Sequence, residues 1–183
     1  MKSKDIRTLV ECACMLALAT ILSYIKVFEL PFGGTITLCS MVPILYISYK
    51  YPLKWVLTTS SAYSLLQMLQ SFYLPPTRNL INFIAVILLD YVIAFGILGM
   101  AGTFGKRFDA SKGILVGSSI AVFGRFLCHF ISGILIWGVY APESQSVVIY
   151  SLIYNGSYML IELIISLIVL LAISRITIRR EHR

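Results

Sequence analysis

The side chains in this chain that could do chemistry sit where most of their neighbours are leucine, isoleucine or phenylalanine. Residues 124–138 read GRFLCHFISGILIWG, with Arg125 and His129 four apart, Gly133 one turn further and Trp137 eight residues after the histidine. On a helix, residues four apart share a face. Gly133 would leave that face hollow where a side chain would block a ligand. Asp90, followed by Tyr91, and Glu162 are carboxylates inside other apolar runs, and YSLIYNGSY at 150–158 gathers Tyr150, Tyr154, Asn155 and Tyr158. Aromatic walls, one carboxylate and a few polar groups suit a flat, cationic, nitrogen-rich molecule. A purely structural polar cluster is the competing reading of the same residues.

Catalytic alternatives find little support. There is no GxxxxGK[ST], HExxH or GxSxG pattern, and GTFGKR at 102–107 lacks both the spacing and the hydroxyl of a P-loop. Cys128 adjoins His129, but consecutive helical residues point about 100° apart. Cys12, Cys14, Cys39 and Cys128 form no CxxC pair, so they read as small packing residues. The residues argue against an enzyme, and no cofactor or metal is expected.

The elements that position these groups must be membrane helices. Of 183 residues, 58% are hydrophobic and 13% charged, and the mean hydropathy is +0.88. Soluble domains are about 45–50% apolar and about 25% charged. Apolar runs of spanning character cover 8–28, 35–49, 55–73, 79–104, 113–138 and 147–173. The second is short for a full span. Turn chemistry separates them: ELPFGG, KYPLK, LPPTRN, GKRFDASK and YAPESQS. The basic start and the ALA at 17–19 imitate a signal peptide, but the apolar run continues past them, so the first segment reads as an uncleaved helix. The expectation is an all-α polytopic membrane protein, residues 1–183 forming a single domain of six transmembrane helices.

Charge orients the bundle. The chain carries a net +7, yet its basic residues punctuate the ends of apolar runs rather than forming one face, which excludes nucleic acid as a partner. With the N-terminus inside, the inner segments hold Lys2, Lys4, Arg7, Lys50, Lys54, Lys106, Arg107, Lys112, Arg175, Arg179, Arg180 and Arg183. The outer loops hold Lys26 and Arg78, and Arg125 lies within a span. The positive-inside rule puts both termini in the cytoplasm.

Charges at mid-bilayer cost at least about 2.5–3.5 kcal/mol, so they face the bundle interior, pair, or line a cavity. Counted from the outer ends at about 1.5 Å per residue, Asn155, His129 and Asp90 lie about 12–16 Å deep, and Arg125 and Glu162 about 20–22 Å. The deeper layer reads as a structural ion pair clamping the fifth and sixth spans; the shallower one reads as a ligand site.

Four segments carry a resemblance to a known family: LPFGGTITLCSMVPI at 30–44, LLDYVIAFGILGMAG at 88–102, GRFLCHFISGILIWGVYAP at 124–142 and YSLIYNGSYMLIE at 150–162. In order and spacing they resemble the ThiT family, the thiamine-specific S components of energy-coupling factor (ECF) vitamin transporters. The resemblance implies the six-helix S-component fold in the bacterial plasma membrane. It also implies thiamine capture from outside, in a pocket closed by the loop after the first span. Asp90, Tyr91, His129, Trp137, Tyr150 and Asn155 fall on the family's site positions. The implied partners are a transmembrane ECF coupling protein and two cytosolic ATPases. Ala13 and Ala17 in ACMLA form a small-xxx-small face that either packs internally or, as the resemblance implies, docks the coupling protein. An S component for another flat vitamin, and a stand-alone carrier using Asp90 and His129 as a proton relay, are the alternatives. Because the pocket set holds no basic residue besides Arg125, modest discrimination against thiamine diphosphate is expected.

Overall fold

The computed structural model describes residues 3–77 and 79–181. Lys2, Arg78 and Arg183 of the charge count lie outside the described residues, as do the side chains of Arg179 and Arg180. Helix α1 (Ser3–Tyr24) leads into a two-stranded antiparallel hairpin, β1 (Lys26–Glu29) and β2 (Thr35–Thr37). There follow α2 (Val42–Lys50), α3 (Leu53–Gln70), α4 (Leu80–Gly99), a short continuation α5 (Ala101–Gly105), α6 (Ala110–Leu135) and α7 (Val147–Glu181).

Among the described residues, four helices are long and apolar enough to cross a membrane: Ser3–Tyr24, Leu80–Gly99, Ser111–Leu135 and Val147–Arg175. The more polar α3 and the nine-residue α2 complete the six segments read from the sequence. Solvent preference is inverted relative to a soluble protein. Leu69, Leu80, Ile81 and Leu135 point outward, while Ser118, Ser132 and Ser151 are buried. Small polar residues between helices and leucines facing outward are what lipid selects.

The sequence signals that end the helices act as expected. Pro52 stands at the N-cap of α3, and the Asn79 side chain caps α4 by accepting from the Asn82 N–H at 2.7 Å. The inner half packs through glycine. A Cβ on Gly102 would lie 1.8 Å from the Ser48 carbonyl oxygen, and the Gly102 N–H donates to Ser48 Oγ at 3.0 Å. Tyr49, at the end of α2, hydrogen-bonds Ser118 of α6 at 2.8 Å.

Around the hairpin the boundaries differ in kind from the expectation. The first helix ends at Tyr24 rather than running to Phe28, and 35–37 form a strand rather than the start of the second span. Lys26–Glu29 is a four-residue apolar and charged stretch followed by Pro31 and two glycines; hydropathy counts it with the helix, but it pairs with Thr35–Thr37 instead. Phe32 takes a left-handed φ of 66° and Gly33 one of 102° to close the tip, which needs a residue tolerant of that region at the second position. The second span therefore shrinks to α2, with Cys39 (φ 61°) turning the chain between strand and helix.

Candidate functional site

Asp90 sits in a π-helical stretch of α4, Ile87–Ile93. The wider turn leaves the α-helical register, and such bulges recur at functional sites. There the Asp90 carboxylate collects three donors. Oδ1 faces His129 Nδ1 at 3.1 Å, and Oδ2 accepts from Ser132 Oγ at 2.7 Å and from Trp137 Nε1 at 3.1 Å. Arg125 Nε donates to His129 Nε2 at 3.3 Å. With Nε2 accepting, the imidazole carries its proton on Nδ1 and donates it to Asp90. The chain of contacts is thus Arg125 to His129 to Asp90.

A stack of aromatic rings forms the next wall. Helix α6 ends at Leu135, and a tight turn over Trp137–Tyr140 follows. Trp137 stacks near Tyr140 (6.3 Å between centroids), and Tyr140 stacks on Phe32 of the hairpin tip at 3.9 Å. Tyr150 and Tyr154 lie 5.8 Å apart on α7. Tyr91 donates to the Ser71 carbonyl at 2.8 Å and packs on Phe72. Apart from Ser132 and Phe72, these residues, together with Arg125 and Glu162, line one cavity roofed by the hairpin.

Asp90, Tyr91, His129, Gly133, Trp137, Tyr150 and Asn155 all line that cavity, but two of them act differently from the expectation. A Cβ on Gly133 would meet Ser151 Oγ at 2.2 Å and Asn155 Nδ2 at 3.1 Å. The space beside Gly133 is therefore filled by α7, and the glycine lets the two helices close against each other. Asn155 is committed on both ends: Nδ2 donates to the Ser151 carbonyl at 3.0 Å and the His129 carbonyl at 3.3 Å, and Oδ1 accepts from Tyr158 at 3.1 Å. It holds the wall together as well as facing the cavity.

The ion pair between Arg125 and Glu162 does not form. Arg125 instead bonds His129 and lies over the Phe95 ring at 4.3 Å. Glu162 Oε1 accepts from the Thr37 N–H, and from Thr37 Oγ1 at 2.8 Å, while its buried Oε2 has no hydrogen-bond partner among the described residues. Both residues line the cavity, so the two depth layers are one site with a floor. Depth counting matched the two groups; their partners in the fold, His129 and Thr37, separate them.

Several contributors were not singled out as site residues. Ser132 lies three residues after His129, a spacing that shares its face. The hairpin is tied to α7 at its tip, where Tyr154 Oη donates to the Pro31 carbonyl and accepts from the Gly34 N–H at 2.9 Å, and at its root through Thr37 and Glu162. Tyr154→Phe is expected to speed ligand dissociation about threefold to tenfold with little change in association, since each lost hydrogen bond is worth about 1 kcal/mol and such losses fall mainly on the off-rate. Stopped-flow fluorescence measures both rates.

The site lies at the end of the bundle opposite Lys50, Lys106, Arg107 and Lys112. Glu11 of α1 accepts from Lys50 at 2.5 Å, and the α5–α6 turn packs beside Tyr49, which marks that basic end as a cluster. A membrane-embedded helical bundle holding an aromatic, carboxylate-bearing cavity away from its basic cluster is built to bind a small molecule.

Comparison with known proteins narrows that class. The thiamine transporter protein family (Thia_YuaJ) matches residues 9–181. The thiamine transporter ThiT of Bacillus subtilis is 35% identical, over 92% of this chain and 91% of its own length. ThiT of Lacticaseibacillus paracasei is 35% identical over 45% of this chain and 46% of its own. The solved structure of ThiT from Listeria monocytogenes shares the fold, with a TM-score of 0.77, 22% identity and coverage of 97% of this chain and 98% of its own. The chain belongs to the thiamine transporter family. It is a multi-pass protein of the bacterial cell membrane and a transport subunit rather than an enzyme.

Proposed function

We propose that this chain is a thiamine-binding membrane subunit that takes thiamine from the outer side and delivers it inward with an ATP-driven ECF partner. The observation that carries the reading is the Asp90 carboxylate, held between His129 and Trp137 under the hairpin. Thiamine presents a permanently charged thiazolium and a neutral aminopyrimidine. A carboxylate has room for about four hydrogen bonds; three are taken by fixed donors, so its orientation is set before the ligand arrives and its charge remains available to the cation. The Trp137 face adds a cation–π surface.

The polar chain speaks against a proton-coupled carrier. It begins at Arg125, which does not deprotonate in proteins, so Asp90 and His129 lead protons nowhere further. Ala13 and Ala17 are exposed on α1. That supports docking of a coupling protein over internal packing.

Titration of the purified chain with thiamine, riboflavin, biotin and the isolated aminopyrimidine, read by tryptophan fluorescence, tests the proposal. Trp137 contacts Asp90, whereas Trp55 lies at the start of α3, near the basic end. Saturable quenching by thiamine at micromolar concentration or below is expected. No such response, or a tighter response to another vitamin, would overturn the assignment.

A further inference from the structure

The cavity has a charged rim that the sequence reading left out. Lys26 and Glu29, both on β1, line it at the hairpin. In a regular strand, residues three apart face opposite sides. Here the strand pairing slips between Lys26 and Phe28, and such a bulge adds one residue and re-aims the side chains. Lys26 and Glu29 thereby come to one side and form an ion pair of 2.7 Å.

We propose that Glu29, by holding Lys26, makes the mouth of the pocket select against phosphate esters of its ligand. This rests on the thiamine reading and adds the discrimination among thiamine forms. A cationic ring placed against Asp90 and Trp137 lies at the end of the Trp137–Tyr140–Phe32 stack that reaches the hairpin tip. Substituents on that ring then extend under the hairpin, and thiamine carries its alcohol arm, the site of phosphorylation, on the thiazolium. A phosphate there meets the Glu29 carboxylate, and the nearest ammonium is already paired. The whole lining has Lys26 and Arg125 against Asp90, Glu29 and Glu162, a balance that favours a cation over a phosphate ester. Like charges brought together exclude wrong partners more effectively than surface ion pairs strengthen right ones. The expected discrimination against phosphates thus has a source other than a shortage of basic groups: Lys26 is present, and Glu29 occupies it.

The experiment measures the dissociation constants of thiamine and thiamine monophosphate for the unaltered chain, Glu29→Gln and Lys26→Gln/Glu29→Gln. Both residues are at the surface of the hairpin, and melting temperatures verify folding. In Glu29→Gln the preference for thiamine over its monophosphate is expected to shrink about fivefold to tenfold, by removal of the repelling charge and release of the lysine. The double variant is expected to give back part of that gain, and added salt to narrow the preference of the unaltered chain. A preference within about twofold of the original in Glu29→Gln, where each 1.4 kcal/mol is tenfold, would overturn the proposal. So would an equal loss of both ligands, which marks a structural role, or a gain that Lys26→Gln leaves undiminished. If the unaltered chain bound no thiamine, the proposed function would fall first and this inference with it.

Discussion

Asp90→Asn is expected to weaken thiamine binding by about a hundredfold to a thousandfold, or roughly 3–4 kcal/mol. Two effects add. The cation loses its only carboxylate on the His129–Trp137 wall. The amide also sets an NH2 group against N–H donors. Ser132 can rotate its hydroxyl to accept, but Trp137 Nε1 and His129 Nδ1 face different oxygens of Asp90, so one of them is left against the NH2 group. A buried donor left unpaired costs about 1–3 kcal/mol, and charge-assisted bonds are the stronger ones to lose. The substitution keeps volume and shape, so folding should survive. The loss should be concentrated on the charged ligand: the neutral aminopyrimidine alone, bound weakly, should lose far less. Isothermal titration with both ligands, alongside a melting curve, separates these effects. A loss of less than tenfold for thiamine would mean that the cation sits elsewhere in the cavity.

Ala17→Trp should reduce thiamine uptake by an assembled ECF complex more than tenfold, while leaving binding by the detergent-solubilised chain within about twofold. Small residues four apart let two helices approach closely in a membrane, where packing rather than hydrophobic burial drives association. Ala17 is exposed in the isolated chain, so an indole there meets lipid, and α1 reaches the cavity through Ser23 rather than Ala17. The physical asymmetry is that the free subunit tolerates the added volume and a partner helix does not. Uptake assays in cells or proteoliposomes, paired with fluorescence titration, measure both quantities. Normal uptake would place the docking face elsewhere. Lost binding would place Ala17 in the internal packing instead.

The two variants probe different faces of the molecule, and the fold explains how the two can be separate. Close glycine contacts such as Gly102 on Ser48 knit the inner half, whereas the outer half is opened by the π-helical turn of α4 and covered by a hairpin tied to α7. Asp90 lines the cavity and Ala17 does not, so each can be altered while the other is read.

Much of this protein was legible in its sequence, and the reason lies in what a bilayer demands. Hydropathy and the position of each lysine or arginine are properties of single residues along one dimension, and a membrane sorts them along one dimension too. The helical bundle, the membrane location and the gathering of Asp90, Tyr91, His129, Trp137, Tyr150 and Asn155 therefore followed from composition, spacing and resemblance. Tertiary structure decided what depends on the other dimensions. Depth counting matched Arg125 with Glu162, but in the fold the first bonds His129 and the second Thr37. A hollow beside Gly133 was plausible until α7 filled it. The stretch 26–37 has the apolar content of a helix end, yet its bulge and its two left-handed residues make a hairpin. That hairpin brings a lysine and a glutamate to the rim of the pocket, a juxtaposition created by the fold alone.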